Sequence, residues 1–163
     1  MIIARFSSIC IYRNSIPLSL PIEFVLSMKA IFQFFIRSKT RALIFAIVWT
    51  LIIFTACLIP SRDVPEVDLP LIDKWVHFVI FGGFSFLWLA TFREVNVQKC
   101  FVIFLCSVAV GYVVELLQGS GITTGRSYDL MDVVADAVGG ALGAIVFYGM
   151  DKIYVKAKRP ADS

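Results

Sequence analysis

The sequence is short of charge. Charged residues make up 17% of its 163 positions, against about a quarter in an ordinary soluble domain. Hydrophobic residues make up 59%, and mean hydropathy reaches +0.85. Histidine occurs once, at His77. The four cysteines, Cys10, Cys57, Cys100 and Cys106, form neither a CxxC pair nor a zinc spacing, which leaves them as small apolar fillers. All six prolines lie outside the long apolar runs, so nothing signals the broken helices of a secondary transporter, and no inverted repeat is visible. There is no HExxH, no paired acidic repeat, and no serine or cysteine nucleophile beside a base. A soluble protein with a greasy core is excluded by run length. A membrane span takes about 20 mostly apolar residues, and soluble helices rarely supply that several times over.

Four such runs are present: Ala42–Ile59, Trp75–Phe92, Cys100–Leu117 and Leu130–Met150. Their short connections predict antiparallel neighbours in one bundle. The expected fold is therefore all-α, a polytopic membrane protein of four transmembrane helices. Residues 37–155 form the membrane domain and 156–163 a basic tail. The net charge of +3 is informative by position. Arg37, Lys39 and Arg41 precede the first run, Arg93 and Lys99 follow the second, and Lys152, Lys156, Lys158 and Arg159 follow the fourth. The remaining connections hold Arg62, Lys74 and Arg126 beside several acids. The positive-inside rule then places both termini in the cytoplasm and the connections holding Asp73 and Arg126 outside. Such juxtamembrane clusters are a topology signal, not a nucleic-acid footprint. Trp75 and Tyr128 fall near the outer interface; Trp88, Tyr148 and Tyr154 fall toward the inner one.

Residues 1–36 read differently. Pro17, Pro21 and Glu23 interrupt the apolar stretches, and no small-residue cleavage site follows them. Two readings stay open: an upstream extension of little structural role, with translation starting at Met28 rather than Met1, or an interfacial helix over Phe24–Ile36 that dips Phe32, Phe35 and Ile36 into lipid.

The polar residues of the runs gather at one level. Asp73 and His77 are spaced i, i+4 at the outer start of the second helix. Glu115 and Gln118, spaced i, i+3, end the third, with Gly111 one turn deeper on the same face. Asp129, Asp132 and Asp136 line one face at the start of the fourth, just after Arg126. Asp136 lies roughly 6 Å below Asp132 along the helix. Burying a carboxylate at a helix centre costs at least about 2.5–3.5 kcal/mol. These groups should therefore face the bundle interior, a partner or a wet cavity. The arrangement predicts an outward-facing polar vestibule. Asp73 and Asp129 are also natural helix N-caps, and Lys74 and Arg126 are placed to neutralise Glu115 or Asp132. Gly139-x-x-x-Gly143 shares a stripe with Asp132 and Asp136, so the acids should point at neighbouring helices. Gly82-Gly83 suit the same part in the second helix. The Gly119–Tyr128 link is rich in glycine and serine and can flex over the site.

The run Asp73-Lys74-x-x-His77-Phe78-x-x-Phe81, then Glu115-x-x-Gln118, Arg126 and Asp132 with a glycine-rich continuation, resembles the VanZ-like family of bacterial membrane proteins over roughly residues 40–150. One departure is Asp136, where the family often has asparagine. The resemblance implies a small multi-helix protein of the bacterial plasma membrane, in a family named for a member linked to teicoplanin resistance. It supplies no reaction. Three functions are compatible with the residues. The first is binding of a membrane lipid or lipid-linked envelope precursor by Asp73, Lys74, His77, Glu115, Gln118, Arg126, Asp132 and Asp136, the two cations meeting phosphate or carboxylate. The second is an enzyme on such a lipid, with His77 or Glu115 as base and a divalent cation on Asp132 and Asp136. The third is a carrier in which Glu115 and Asp136 titrate. No cofactor or resident metal is assigned. The partner is a lipid, not a nucleic acid, and a homo-oligomer is compatible with four short spans.

Overall fold

The computed structural model describes residue 30, residues 32–60 and residues 71–158, with side chains described as far as 153. Cys10, Arg62, Arg159, both candidate start methionines and the Tyr154 side chain lie outside the described residues. A helical stretch at 32–36 precedes four long helices: α1 (Lys39–Cys57), α2 (Ile72–Leu89), α3 (Val97–Gly119) and α4 (Leu130–Lys158). Each is long and apolar enough to cross a membrane. Mean hydropathy is lowest, 1.2, in α2, the helix that opens with Asp73, Lys74 and His77.

Three helices start about three residues before the apolar runs do, and in α1 and α3 capping chemistry rather than hydropathy sets the boundary. Ser38 is extended at φ −137°, and its hydroxyl accepts the Arg41 N–H. Asn96 does the same for the Lys99 N–H at 2.9 Å. Lys39, Arg41, Asp73, Lys74 and Lys99 are thereby inside first turns. Thr50 and Thr55 lie within α1, and each hydroxyl donates at 2.8 Å to the carbonyl four residues back, which satisfies it without water.

Outward faces carry Ile44, Leu51, Val79, Leu105, Val138 and Ile145, all exposed, the inverse of a soluble bundle. Inside, α2 and α4 touch backbone to backbone. A Cβ on Gly139 would meet the Phe78 carbonyl, and one on Gly143 the Gly82 carbonyl. The glycine stripe therefore works as expected. Gly82 serves that contact, whereas Gly83 receives the Trp49 indole of α1, whose Nε1 donates to the Ile80 carbonyl at 2.8 Å.

The half of the bundle far from the polar residues is closed by aromatic packing. Phe147 lies 5.2 Å from Phe32 and 5.1 Å from Phe86, centroid to centroid, beside buried Leu89 and Ile103. Phe32 therefore does not dip into lipid; it is 2% exposed. It completes the core because the short helical stretch folds back against α2 and α4.

Candidate functional site

The first turn of α2, the last turns of α3, the first turns of α4 and the α3–α4 link meet at one end of the bundle. Asp129 is an N-cap as expected: its Oδ1 accepts the Met131 N–H at 2.8 Å. Asp73 is not. The cap position belongs to Leu71, in a left-handed conformation with φ 59° and no side-chain cap bond. Asp73 sits one step inside the first turn and pairs with Arg126 Nη1 at 3.5 Å.

Lys74 Nζ donates to Asp129 Oδ2 at 2.8 Å and to Asp132 Oδ1 at 2.9 Å, bridging the start of α4 to α2. His77 Nδ1 donates to Asp136 Oδ1 at 2.9 Å, both side chains being buried. The imidazole stacks on Phe81 at 6.3 Å. Glu115 Oε2 accepts the Asp129 backbone N–H at 2.9 Å. Gln118 Nε2 donates to the Cys57 carbonyl at 2.6 Å, one of the carbonyls a helix end leaves unpaired. Arg126 Nε reaches the Ile59 carbonyl at 3.4 Å. A Cβ on Gly111 would collide with the Asp136 carboxylate, so that glycine is the notch into which Asp136 fits.

All eight sequence-predicted site residues thus come to one end of the bundle, but in different roles. Gln118 ties α3 to α1, and Lys74 pairs with Asp132 and not with Glu115. Burial divides the cluster: His77, Glu115, Gln118, Asp132 and Asp136 are buried, and the surface is reached by Asp73, Lys74, Arg126 and Asp129. Two contributors were not predicted. Buried Ser85 and Ser107 meet beside Gly140, beneath the cluster. The signal was available: Ser85 is eight residues from His77, and Ser107 eight from Glu115, so each shares a helix face with the acid or imidazole above it.

One oxygen or nitrogen each of Asp73, His77 and Asp132 lie within 4.8 Å of one another. Among the described residues, this set is able to share a hard or borderline cation. It differs from the Asp132–Asp136 pair the sequence suggested, since Asp136 engages the imidazole behind, as carboxylates do behind metal-bound histidines. The same acids are partly compensated by Lys74 and Arg126.

Asp129 lies outside the spans. The Lys74 ammonium beside it, and then the Met131 N–H, hold its carboxyl below the ordinary range. A depressed folded value means that the pair's contribution is present above the unfolded value, about 3.9, and disappears as pH falls through the folded one. Acid titration of detergent-solubilised protein is thus expected to show no change from this pair between pH 7 and about 5, and a loss below about 4 that Asp129→Asn removes. A transition at pH 5–7 assigned to Asp129 would contradict the pairing.

Four apolar helices with a buried acid–base cluster at one end define a multi-pass helical membrane protein. The family model described as VanZ/LLP1 matches residues 13–153, and the chain belongs to that family. No curated protein and no solved structure gives a significant match.

Proposed function

We propose that the protein binds the headgroup of an envelope lipid or lipid-linked precursor at the end where α2, α3 and α4 meet. In this reading it lies in a bacterial plasma membrane with both termini cytoplasmic. One observation carries the proposal. Glu115 Oε1 and Asp136 Oδ2 are buried carboxylate oxygens with no hydrogen-bond partner among the described residues, and both residues are 0% exposed. A purely structural network satisfies its buried acceptors, because each one left open costs about 1–3 kcal/mol or more. Glu115 Oε1 suits a ligand that brings donors, an amine or hydroxyls, whereas Asp136 Oδ2 is packed in the Gly111 notch. Arg126 and Asp73 stand at the surface as the entrance. Nearer the membrane centre, a groove of about 390 Å³ between α1, α2 and α4, floored by Gly82, Gly83, Gly139 and Gly143, offers room for an acyl chain.

Lipid mass spectrometry on protein purified from its own membranes tests this. One envelope lipid class is expected to be enriched over the bulk membrane, and Glu115→Gln is expected to lose roughly tenfold of that enrichment, the worth of one charge-assisted hydrogen bond. Equal lipid profiles for both proteins, with both folded, would refute it. A change in teicoplanin susceptibility is the phenotype the family relationship suggests for a deletion strain.

A second reading, a metal-assisted enzyme on a lipid phosphate, is favoured by the Asp73–His77–Asp132 convergence. A bound divalent ion would polarise a phosphate there. Metal content of the same purified sample separates the two readings: about one divalent ion per chain supports the enzyme, and none leaves the binding protein.

A further inference from the structure

At the opposite end of the bundle, Ala30, Gln33, Phe34, Arg37 and Arg41 line a groove of about 320 Å³. We propose that this groove is a binding site for the phosphate of an anionic phospholipid, separate from the acid–base cluster.

Three observations converge. The first is pre-organisation. Arg41 Nη1 donates to the Phe34 carbonyl at 3.2 Å, and its guanidinium carbon lies 4.5 Å over the centre of the Phe34 ring. A stacked guanidinium has already lost much of its rotamer freedom and keeps its remaining N–H groups for an anion. The second is unspent charge. At the other end of the bundle, Lys74 and Arg126 are both paired with carboxylates. Among the described residues, no carboxylate pairs with Arg37 or Arg41, and the first turn of α1 holds no acid. The positive N-terminal end of the α1 dipole adds to the same potential. Two cations and a helix N-terminus therefore face one groove without an internal counter-charge.

The third observation is depth, and it selects the kind of anion. Arg41 is in the first turn of a membrane-crossing helix. Around it, Phe34, Ile44 and Phe45 are exposed, and Phe34, Phe35 and Phe45 form an edge-to-face cluster at 5.4–6.1 Å. The groove thus opens where acyl chains meet headgroups. An anion held there with apolar chains against Phe34 and Phe45 is a phospholipid, its phosphate forked by guanidinium and its glycerol or ester oxygens within the class of group that the Gln33 amide can bond. By the positive-inside rule this is the inner leaflet.

The test titrates purified full-length protein in detergent with phosphatidylglycerol or with phosphatidylcholine, scored by native mass spectrometry. Phosphatidylglycerol is expected to bind more tightly by roughly thirtyfold, about what two juxtamembrane arginines contribute. Arg37→Gln/Arg41→Gln is expected to abolish the preference. Lys99→Gln/Lys152→Gln, which removes two charges from the same end, is expected to keep it. Arg41→Lys holds the charge without the planar fork and should retain part of it, so the site stays testable if the double variant folds poorly. Equal binding of the two lipids, or a preference unmoved by the arginine changes, overturns the proposal. Displacement of phosphatidylglycerol by millimolar inorganic phosphate would overturn the lipid assignment in favour of a free-anion site. Glu115→Gln is expected to leave this preference unchanged, so the two sites fail separately.

Discussion

Gly143→Val is expected to leave little folded protein in the membrane. The position has no room for a side chain: a Cβ would be driven into the carbonyl of Gly82, which is backbone and has no rotamer to change. Overpacking a well-filled interior typically costs 1–3 kcal/mol when side chains can move aside. Here the helices themselves must separate, so about 3 kcal/mol or more is expected. Separation would also disturb the cluster above, because the α2–α4 approach sets the distance between His77 and Asp136. Heating of detergent-extracted protein, scored as the monodisperse fraction remaining, reads the effect. Gly149→Ala is the control, since a Cβ there meets nothing within 4 Å. An unchanged thermal midpoint for Gly143→Val would mean that α2 and α4 are not in backbone contact.

That contact was legible in the sequence because a GxxxG stripe carries a mechanism. The number of spans was legible for the same kind of reason: four runs of apolar residues have no other stable home. Helix starts were less so, since hydropathy stops at the first charge while Ser38 and Asn96 cap several residues earlier. Leu71 could not be read as a helix entry, because a left-handed φ of 59° runs against the preference of a leucine. Within the cluster, spacing told which residues share a face, and those residues do converge. Spacing did not tell which donor meets which acceptor. Asp73 reads as a cap, and only the tertiary placement of the α3–α4 link makes it the partner of Arg126. The Cys57 and Ile59 carbonyls that hold Gln118 and Arg126 were invisible, since every residue has a carbonyl.

The polar groups form a column that ends part-way through the bundle. Below Glu115, His77 and Asp136 come Ser107 and Ser85 beside Gly140. Below these come buried Ile103, Leu89, Ala144 and Phe147, with Phe32 closing the stack. A carrier needs a polar route that can be exposed to either side in turn. A column that reaches the surface at one end and is sealed by packed aromatics at the other suits a one-sided binding site better than a carrier.

His77→Phe with Asp136 retained is expected to be among the costliest changes in the cluster, and Asp136→Leu with His77 retained nearly as costly. Each removes one half of a buried pair whose members are 2% and 0% exposed and leaves the other without its partner, a loss of about 3–5 kcal/mol. Removing both is a different experiment. The double variant buries two apolar side chains where a polar pair stood, and its stability should return to within about 1 kcal/mol of the parent or exceed it. Asp136→Asn should sit between: the amide oxygen still accepts the Nδ1–H, so the geometry survives while the charge does not. Thermal unfolding of the four variants closes the cycle. Additive losses in the double variant would show that the two side chains are not coupled across α2 and α4. If the pair is coupled, the double variant is the informative one, because it is folded and lacks both groups. Loss of the co-purifying lipid from that protein would assign the imidazole and carboxylate to binding, whereas full retention would confine them to holding α2 against α4.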